Sequence, residues 1–458
     1  MHESAPGRGA KRRKPSSSAK WAVAVALVAL LAPAGRTWAN GALPLSYGIL
    51  LPADKPQEIV LATNFGMIIS EDAGASWRWT CEQPETSLGY LYGVGPPPRD
   101  RFYALSPSEG LALSDNGSCS WQRAGGALSS VVASDFFVDR TNADRVLAVA
   151  ATVDMDTGDI GTPSLFESID GGTTFGATPL YAAPVGANIV SVEIARSNPM
   201  VVTIAMYTTP GRHPHLLRSS DGGRTWMDRD VEAALGANEF RILTVDPDDA
   251  NVLYLRVVAF GMDSVAVTRD AGATFATPVT VRGGTLSAFL RLASGTVLVG
   301  GLINLDGGGM SGIGFRSTDG GRTFGDWALD PQPRILGLAE RDRVLYVAGK
   351  NYSDGWALAT SRDEGVTVTP LSSYADVRGV MPCAMSICGD QCRLVASQGV
   401  WTNDVCTDAL QDGGADARPP RPPGSGCQCA AAEAASYGAL GAWALAAGVL
   451  AVARRRRR

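Results

Sequence analysis

The sequence predicts an all-β chain assembled from one repeated unit, and three observations predict it. An eight-residue phrase recurs through most of the 458 residues. Short apolar runs of strand length flank each copy, such as GMIIS before the first and HLLRS before the fourth. The interval between copies, 41 to 55 residues, is the length of four short strands with their turns.

The phrase runs Ser/Thr-x-Asp-x-Gly-x-Thr/Ser and closes on Trp or another apolar residue. Clear copies occupy Ser70–Trp77, Ser168–Phe175, Ser219–Trp226, Thr268–Phe275 and Ser317–Phe324, with a weaker one at Ser361–Val368. Two more are degenerate. LSDNGSCSW carries Asp115, Gly117 and Trp121 with one residue too many, and VWTNDVC keeps only Thr402 and Asp404. The marker aspartates are therefore Asp72, Asp115, Asp170, Asp221, Asp270, Asp319, Asp363 and Asp404.

Each position has an architectural task. The phrase lies between two short strands, so it is a hairpin turn. Its glycine takes the positive φ that other residues resist. The hydroxyl and the carboxylate bond backbone N–H groups inside the turn. The closing aromatic buries its ring beneath the sheet. No catalytic task is left over for the phrase.

In the fourth repeat the quartet is legible in order: VSVEIARS innermost, then VVTIAMYT, HLLRSS and TWMDRDV outermost. Such quartets can be drawn eight times, the first near LSYGILLP and the last near VRGVMPCAMS. The expectation is an eight-bladed β-propeller, or a seven-bladed one if the terminal units merge in closing the ring.

These repeats resemble the Asp-box, or BNR, repeats of sialidase-like β-propellers, over about residues 43–406. The resemblance implies a ring of four-stranded blades. It also brings sialidase chemistry into question, because those enzymes use an arginine triad, a Tyr–Glu nucleophile pair and an Asp acid after a Phe-Arg-Ile-Pro motif. Here the nearest match, Phe240-Arg241-Ile242-Leu243, departs in its last residue and falls mid-chain.

The ends read as export and anchoring signals. Residues 1–39 look like a signal peptide: Lys11 to Lys14 are basic, Trp21 to Ala34 are apolar, and cleavage is expected after Ala39, with Ala34 as the rival site. The propeller is assigned to 40–410 and a Pro/Gly-rich linker to 411–426. Residues 427–458 hold Cys427 and Cys429, an apolar segment Tyr437–Ala453 and five arginines. That tail resembles the myxobacterial C-terminal sorting signal, which implies a transmembrane helix, a sorting protease as partner and a place at the cell surface or outer membrane.

The six remaining cysteines, Cys81, Cys119, Cys383, Cys388, Cys392 and Cys406, are even in number and exported, so three disulfides are expected. Cys81 with Cys119 is the expected first pair, and the late cluster supplies two. Its spacing does not match the CxxC pairs of common zinc sites. Formal charge is −5, with much of the positive charge in the two ends. A mildly acidic body argues against nucleic acid.

Antiparallel strands put the phrase and the first-to-second loops on one face, and the second-to-third loops on the other. The latter are longer in repeats three to seven, which makes the face opposite the phrase the candidate binding surface. Its candidate contacts are Asp154, Asp156, Arg212, His213, Asp306, Asn351, Tyr352, Asp354 and Trp356. Asp154, Asp156 and Asp159 also form a weak calcium pattern without the usual later Glu. His213 and His215 lack a third metal partner, and no GxSxG accompanies them. No cofactor is expected. The leading reading is an exported, surface-anchored, non-enzymatic module that recognises a protein or a glycan. The alternatives are a glycoside hydrolase using paired carboxylates, and an assembly or scaffold factor for a membrane complex.

Overall fold

The computed structural model describes residues 44–407, apart from 87, 88, 90, 100, 107, 108, 130, 153–160, 238 and 307. Seven sheets follow one another along the chain, six of four antiparallel strands and the first with a fifth strand added. They begin with Ser46–Leu50, Leu91–Val94, Val131–Val138, Ala187–Ile194, Glu239–Val245, Gly284–Arg291 and Gly337–Arg341. These first strands touch their counterparts in neighbouring sheets, so they line the centre. The protein is a seven-bladed β-propeller.

Alternation is lost in several of the inner and middle strands because both faces of a blade are covered. Ile59–Thr63, Phe102–Ser106 and Gly110–Ser114 are buried along their whole length. The apolar clusters accordingly lie between blades. Leu147, Val149 and Leu165 of blade 3 pack on Ile189, Val192 and Ile204 of blade 4. Tyr254 and Val265 of blade 5 pack on Leu286 and Val299 of blade 6. Sheet-on-sheet burial of this kind is the main cohesive term.

The repeated phrase closes the third-to-fourth-strand hairpin of its blade. In the fourth copy the Ser219 hydroxyl donates to Asp221 Oδ1 (2.8 Å) and accepts from the Gly223 N–H (2.8 Å). Asp221 also accepts from the Thr225 N–H (2.9 Å) and the Thr225 hydroxyl (2.6 Å). The Trp226 indole donates to Gly223 O (3.0 Å). The same carboxylate pattern recurs at Asp72, Asp170, Asp270, Asp319 and Asp363. Each turn then meets the preceding blade. A Cβ on Gly272 would lie 2.5 Å from Leu216, and one on Gly321 would lie 2.8 Å from Tyr254. The glycine is needed for its φ of +87° or +80° and for this approach.

Two marker assignments need correction. In the second copy the Asp position is filled by Asn116: its Oδ1 accepts from the Ser114 hydroxyl and the Ser120 N–H, both at 3.0 Å. Ser118, at φ +69°, stands where glycine usually does. The copy is eight residues long after all, and Asp115 instead takes a two-pronged bond from Arg101 (2.5 and 2.7 Å). Asp404 belongs to no hairpin; it sits in the 3-10 turn Asn403–Cys406.

The eighth unit is not a blade. Val377–Val380 adds as a fifth strand, parallel to Trp77–Thr80 at the outer edge of blade 1. The helix Met385–Ser397 follows. Cys81 is bonded to Cys388, Cys119 to Cys383 and Cys392 to Cys406. The expected Cys81–Cys119 pair is therefore wrong: each of these cysteines reaches across the ring closure to the C-terminal segment. Trp401 packs edge-on against Trp79 at 5.2 Å within the same seam. Terminal units merge, as the seven-bladed alternative requires.

Among the described residues no helix is long and apolar enough to cross a membrane. The expected signal peptide, linker, Cys427, Cys429 and apolar segment 437–453 lie outside them.

Candidate functional site

The strand order places the phrase turns on one face and the second-to-third hairpins, with the blade crossings, on the other. On that second face the candidates separate into contacts that are open and contacts that are spent on architecture.

Blade 7 is architectural. Asn351–Asp354 forms one helical turn. Asp354 accepts from the backbone N–H groups of Lys350 (2.8 Å) and Arg334 (3.1 Å), and from the Arg334 guanidinium (3.1 Å). Asn351 Oδ1 accepts from the Tyr374 N–H (3.0 Å), and the Tyr374 hydroxyl bonds Ser46 of blade 1 (2.7 Å). The insertion thus clasps blade 7 to blade 1. Trp356 is 9% exposed and packs with Trp327 and Val347, which corrects its expected display to solvent. Tyr352 stays open, 53% exposed, with its ring edge-on to Tyr374.

Asp306 lies exposed in the blade 6 hairpin. Asp154, Asp156 and Asp159 fall outside the described residues. The repeat-five hairpin, expected to be long, is a two-residue turn, Phe260-Gly261, between Leu253–Ala259 and Met262–Thr268.

That turn holds the feature which inspection of loop lengths missed. A two-residue hairpin with positive φ at both positions ordinarily carries Asn-Gly. Here Phe260 has φ +50° and Gly261 has φ +73°. A bulky side chain in the left-handed region is strained, and this one is 87% exposed. The signal was present in the sequence as an aromatic where the turn calls for Asn.

Phe260 is one wall of a cavity of about 180 Å³, lined also by Val258, Ala259, Arg212 and Glu239. Arg212, in the blade 4 hairpin, is likewise left-handed at φ +58°. Its guanidinium lies 4.4 Å over the Tyr207 ring, and the Tyr207 hydroxyl accepts from Asn188 (2.7 Å). Glu239 is 3.7 Å from the guanidinium. His213 Nδ1 is 2.6 Å from Glu232, and that hydrogen bond, with the carboxylate's charge, raises the imidazole above its ordinary value. His215 pairs separately with Asp228 (2.9 Å).

Exposed apolar side chains run along this face. Val185, at the crossing into blade 4, is 95% exposed, and Leu305 in the blade 6 hairpin is 50% exposed. With Phe260 and Tyr352 they make four exposed apolar side chains on this face.

The ring centre has a different character. Asp135 Oδ2 accepts from the Val192 N–H (2.9 Å) and its Oδ1 faces Arg241 (3.3 Å). Glu193 accepts from the Val245 N–H (2.5 Å). Burial pushes Asp135 up to about 6 and Glu193 up to about 8. Both carboxyls tie an inner strand to the next one, and Arg241 of the FRIL stretch serves that seam.

No family model matches the chain, and no curated protein is similar to it. Solved structures with a similar fold include a GH74 enzyme from Niastella koreensis: 12% identity, TM-score 0.40, 71% of this chain and 65% of that one. YCF48 from Cyanidioschyzon merolae gives 12%, 0.41, 69% and 94%. A puromycin-hydrolyzing peptidase from Mycobacterium tuberculosis gives 12%, 0.50, 74% and 55%. The chain spans less than two thirds of the GH74 enzyme's length, and at this identity the likenesses concern fold alone.

Proposed function

We propose that this chain is an exported, surface-anchored, non-enzymatic binding propeller, and that a protein partner docks on the face opposite the repeated turns. The observation that carries the reading is Phe260: a large aromatic ring held out to solvent by a strained backbone, on a face with further exposed apolar side chains. Aromatic and arginine anchors concentrate binding energy at protein interfaces. Phe260, Tyr352 and Arg212 are such anchors. Three disulfides support passage through an oxidising compartment, as the signal-like N-terminus and the sorting-signal-like tail read by a protease would require.

The test is capture from the parent cell envelope by proximity cross-linking from a photoreactive residue at position 262. A partner labelled by the wild-type chain and lost with Phe260→Ala and Tyr352→Ala supports the reading. Unchanged labelling with both variants removes it. A glycoside hydrolase is the second reading; turnover of fluorogenic glycosides by the full chain would establish it instead.

A further inference from the structure

Eight non-glycine residues have a positive φ among those described. Four belong to the repeated turns (Ala73, Ser118, Ala271, Glu364) and two to the tight turn Asp342-Arg343. The remaining two, Arg212 and Phe260, come from hairpins of different blades and line the same cavity. Strain concentrated at one concavity is the pattern of a ligand clamp.

We propose that this cavity captures a carboxylate of the partner polypeptide, an Asp or Glu side chain or a chain end, with the adjoining apolar side chain laid against Phe260. The inference rests on the reading of this face as a protein-binding surface.

The donor set points to an anion. The Arg212 Nε–H is buried and has no hydrogen-bond partner. The guanidinium is already oriented by stacking on Tyr207, whose own hydroxyl is fixed by Asn188. At 3.7 Å from Nη2, Glu239 offsets charge but lies beyond hydrogen-bond reach, and the Arg212 side chain as a whole is 42% exposed, so the terminal nitrogens of the fork can still donate to a further carboxylate. The two terminal nitrogens of a planar guanidinium match a carboxylate with two parallel bonds.

The size and the wall chemistry narrow the class. About 180 Å³ is well under the volume that holds a drug-sized ligand, and suits one side chain. Val258, Ala259 and Phe260 supply an apolar wall beside the cation. Glu239 and Glu232 stand close by, so the surroundings are not basic enough for a polyanion. One carboxylate beside one apolar group satisfies all of these.

Two probes test the assignment on the full chain: N-acetyl-Leu-Glu amide and its neutral isostere N-acetyl-Leu-Gln amide, titrated by ligand-observed NMR. The acidic probe is expected to bind about tenfold more tightly than the isostere, the difference one charge-assisted bond pair supplies. Arg212→Gln should remove that preference. Glu239→Gln should strengthen binding of the acidic probe several-fold, because it deletes a like charge at the cavity; a purely structural Glu239 would give no gain. Far-ultraviolet circular dichroism checks that each variant is folded. Equal binding of the two probes, no binding of either, or weaker binding after Glu239→Gln overturns the proposal. So does Arg212-dependent binding of neutral monosaccharides, which would make the cavity a sugar site. If the probes fail while Phe260→Ala still abolishes partner cross-linking, the carboxylate assignment falls and the docking face stands.

Discussion

Removing the two bridges that span the ring closure should reveal a cost that depends on order. Cys81–Cys388 and Cys119–Cys383 have sequence separations of 307 and 264. With one of them intact, the other closes only the circuit from Cys81 to Cys119 and back from Cys383 to Cys388. That circuit is about 43 residues, worth ~4 kcal/mol on the chain-entropy account. With its partner already gone, the remaining bridge closes a loop of some 260–310 residues, worth ~5.5 kcal/mol. Either pair of Cys→Ala changes should therefore destabilise by ~4 kcal/mol, and the second pair by ~1.5 kcal/mol more than the first. Guanidinium unfolding followed by tryptophan fluorescence suits the purpose, since Trp79 and Trp401 lie in contact beside the bridges. A first deletion costing under ~1 kcal/mol would refute the argument that these bridges, with the added strand, hold the ring shut.

Other outcomes are open to direct measurement. Gly272→Ala should lower the unfolding midpoint more than Gly117→Ala, because both have positive φ but only the first Cβ meets a neighbour, Leu216 at 2.5 Å; equal shifts would mean that backbone conformation alone matters. Phe260→Asn should stabilise the chain by about 1 kcal/mol by relieving the left-handed penalty, while weakening partner capture. The pH dependence has two limbs. Hydrogen bonds from Thr274 at Asp270 and from the Thr367 N–H at Asp363 hold these carboxyls at about 2, so the stability they supply is present above the unfolded value near ~3.9 and is lost as pH falls towards 2. Asp135 and Glu193 are shifted the other way, so the folded chain binds protons more tightly than the unfolded one. Stability should decline as pH rises from ~4 through about 6 and about 8. Asp135→Asn and Glu193→Gln should flatten that decline in a melting series; an unchanged slope would count against buried carboxyls at the centre.

The fold was legible because one local device repeats. Ser219, Asp221, Gly223 and Thr225 each have a task that can be read from residue type, and the spacing of such copies gives the blade. The misreadings concern partners that residue type and local spacing do not reveal. Asn116 replaces the aspartate because the turn needs a side-chain oxygen, and the amide supplies one. Asp115 looked like the marker, yet its carboxylate is taken by Arg101, immediately before the same blade's second strand. Pairing Cys81 with Cys119 followed sequence proximity, whereas closure brings Cys388 and Cys383 to them. On the candidate face, Asp354 and Trp356 were credible as contacts until the clasp onto Arg334 and the packing on Trp327 were visible. Arg212 was named from the sequence, but its cavity partners Glu239 and Phe260 come from the next blade.

The route of the covalent bonds has a mechanical meaning. A pull on the chain at Thr407 meets Cys406 at once, passes to Cys392, runs along the helix to Cys388 and crosses to Cys81 in the first blade. Tension on that end bypasses six of the seven blades. If the chain is tethered from its C-terminal side, drag on a bound partner is borne by sulfur–sulfur bonds and not by the hydrogen bonds of the last blade, which would otherwise peel first.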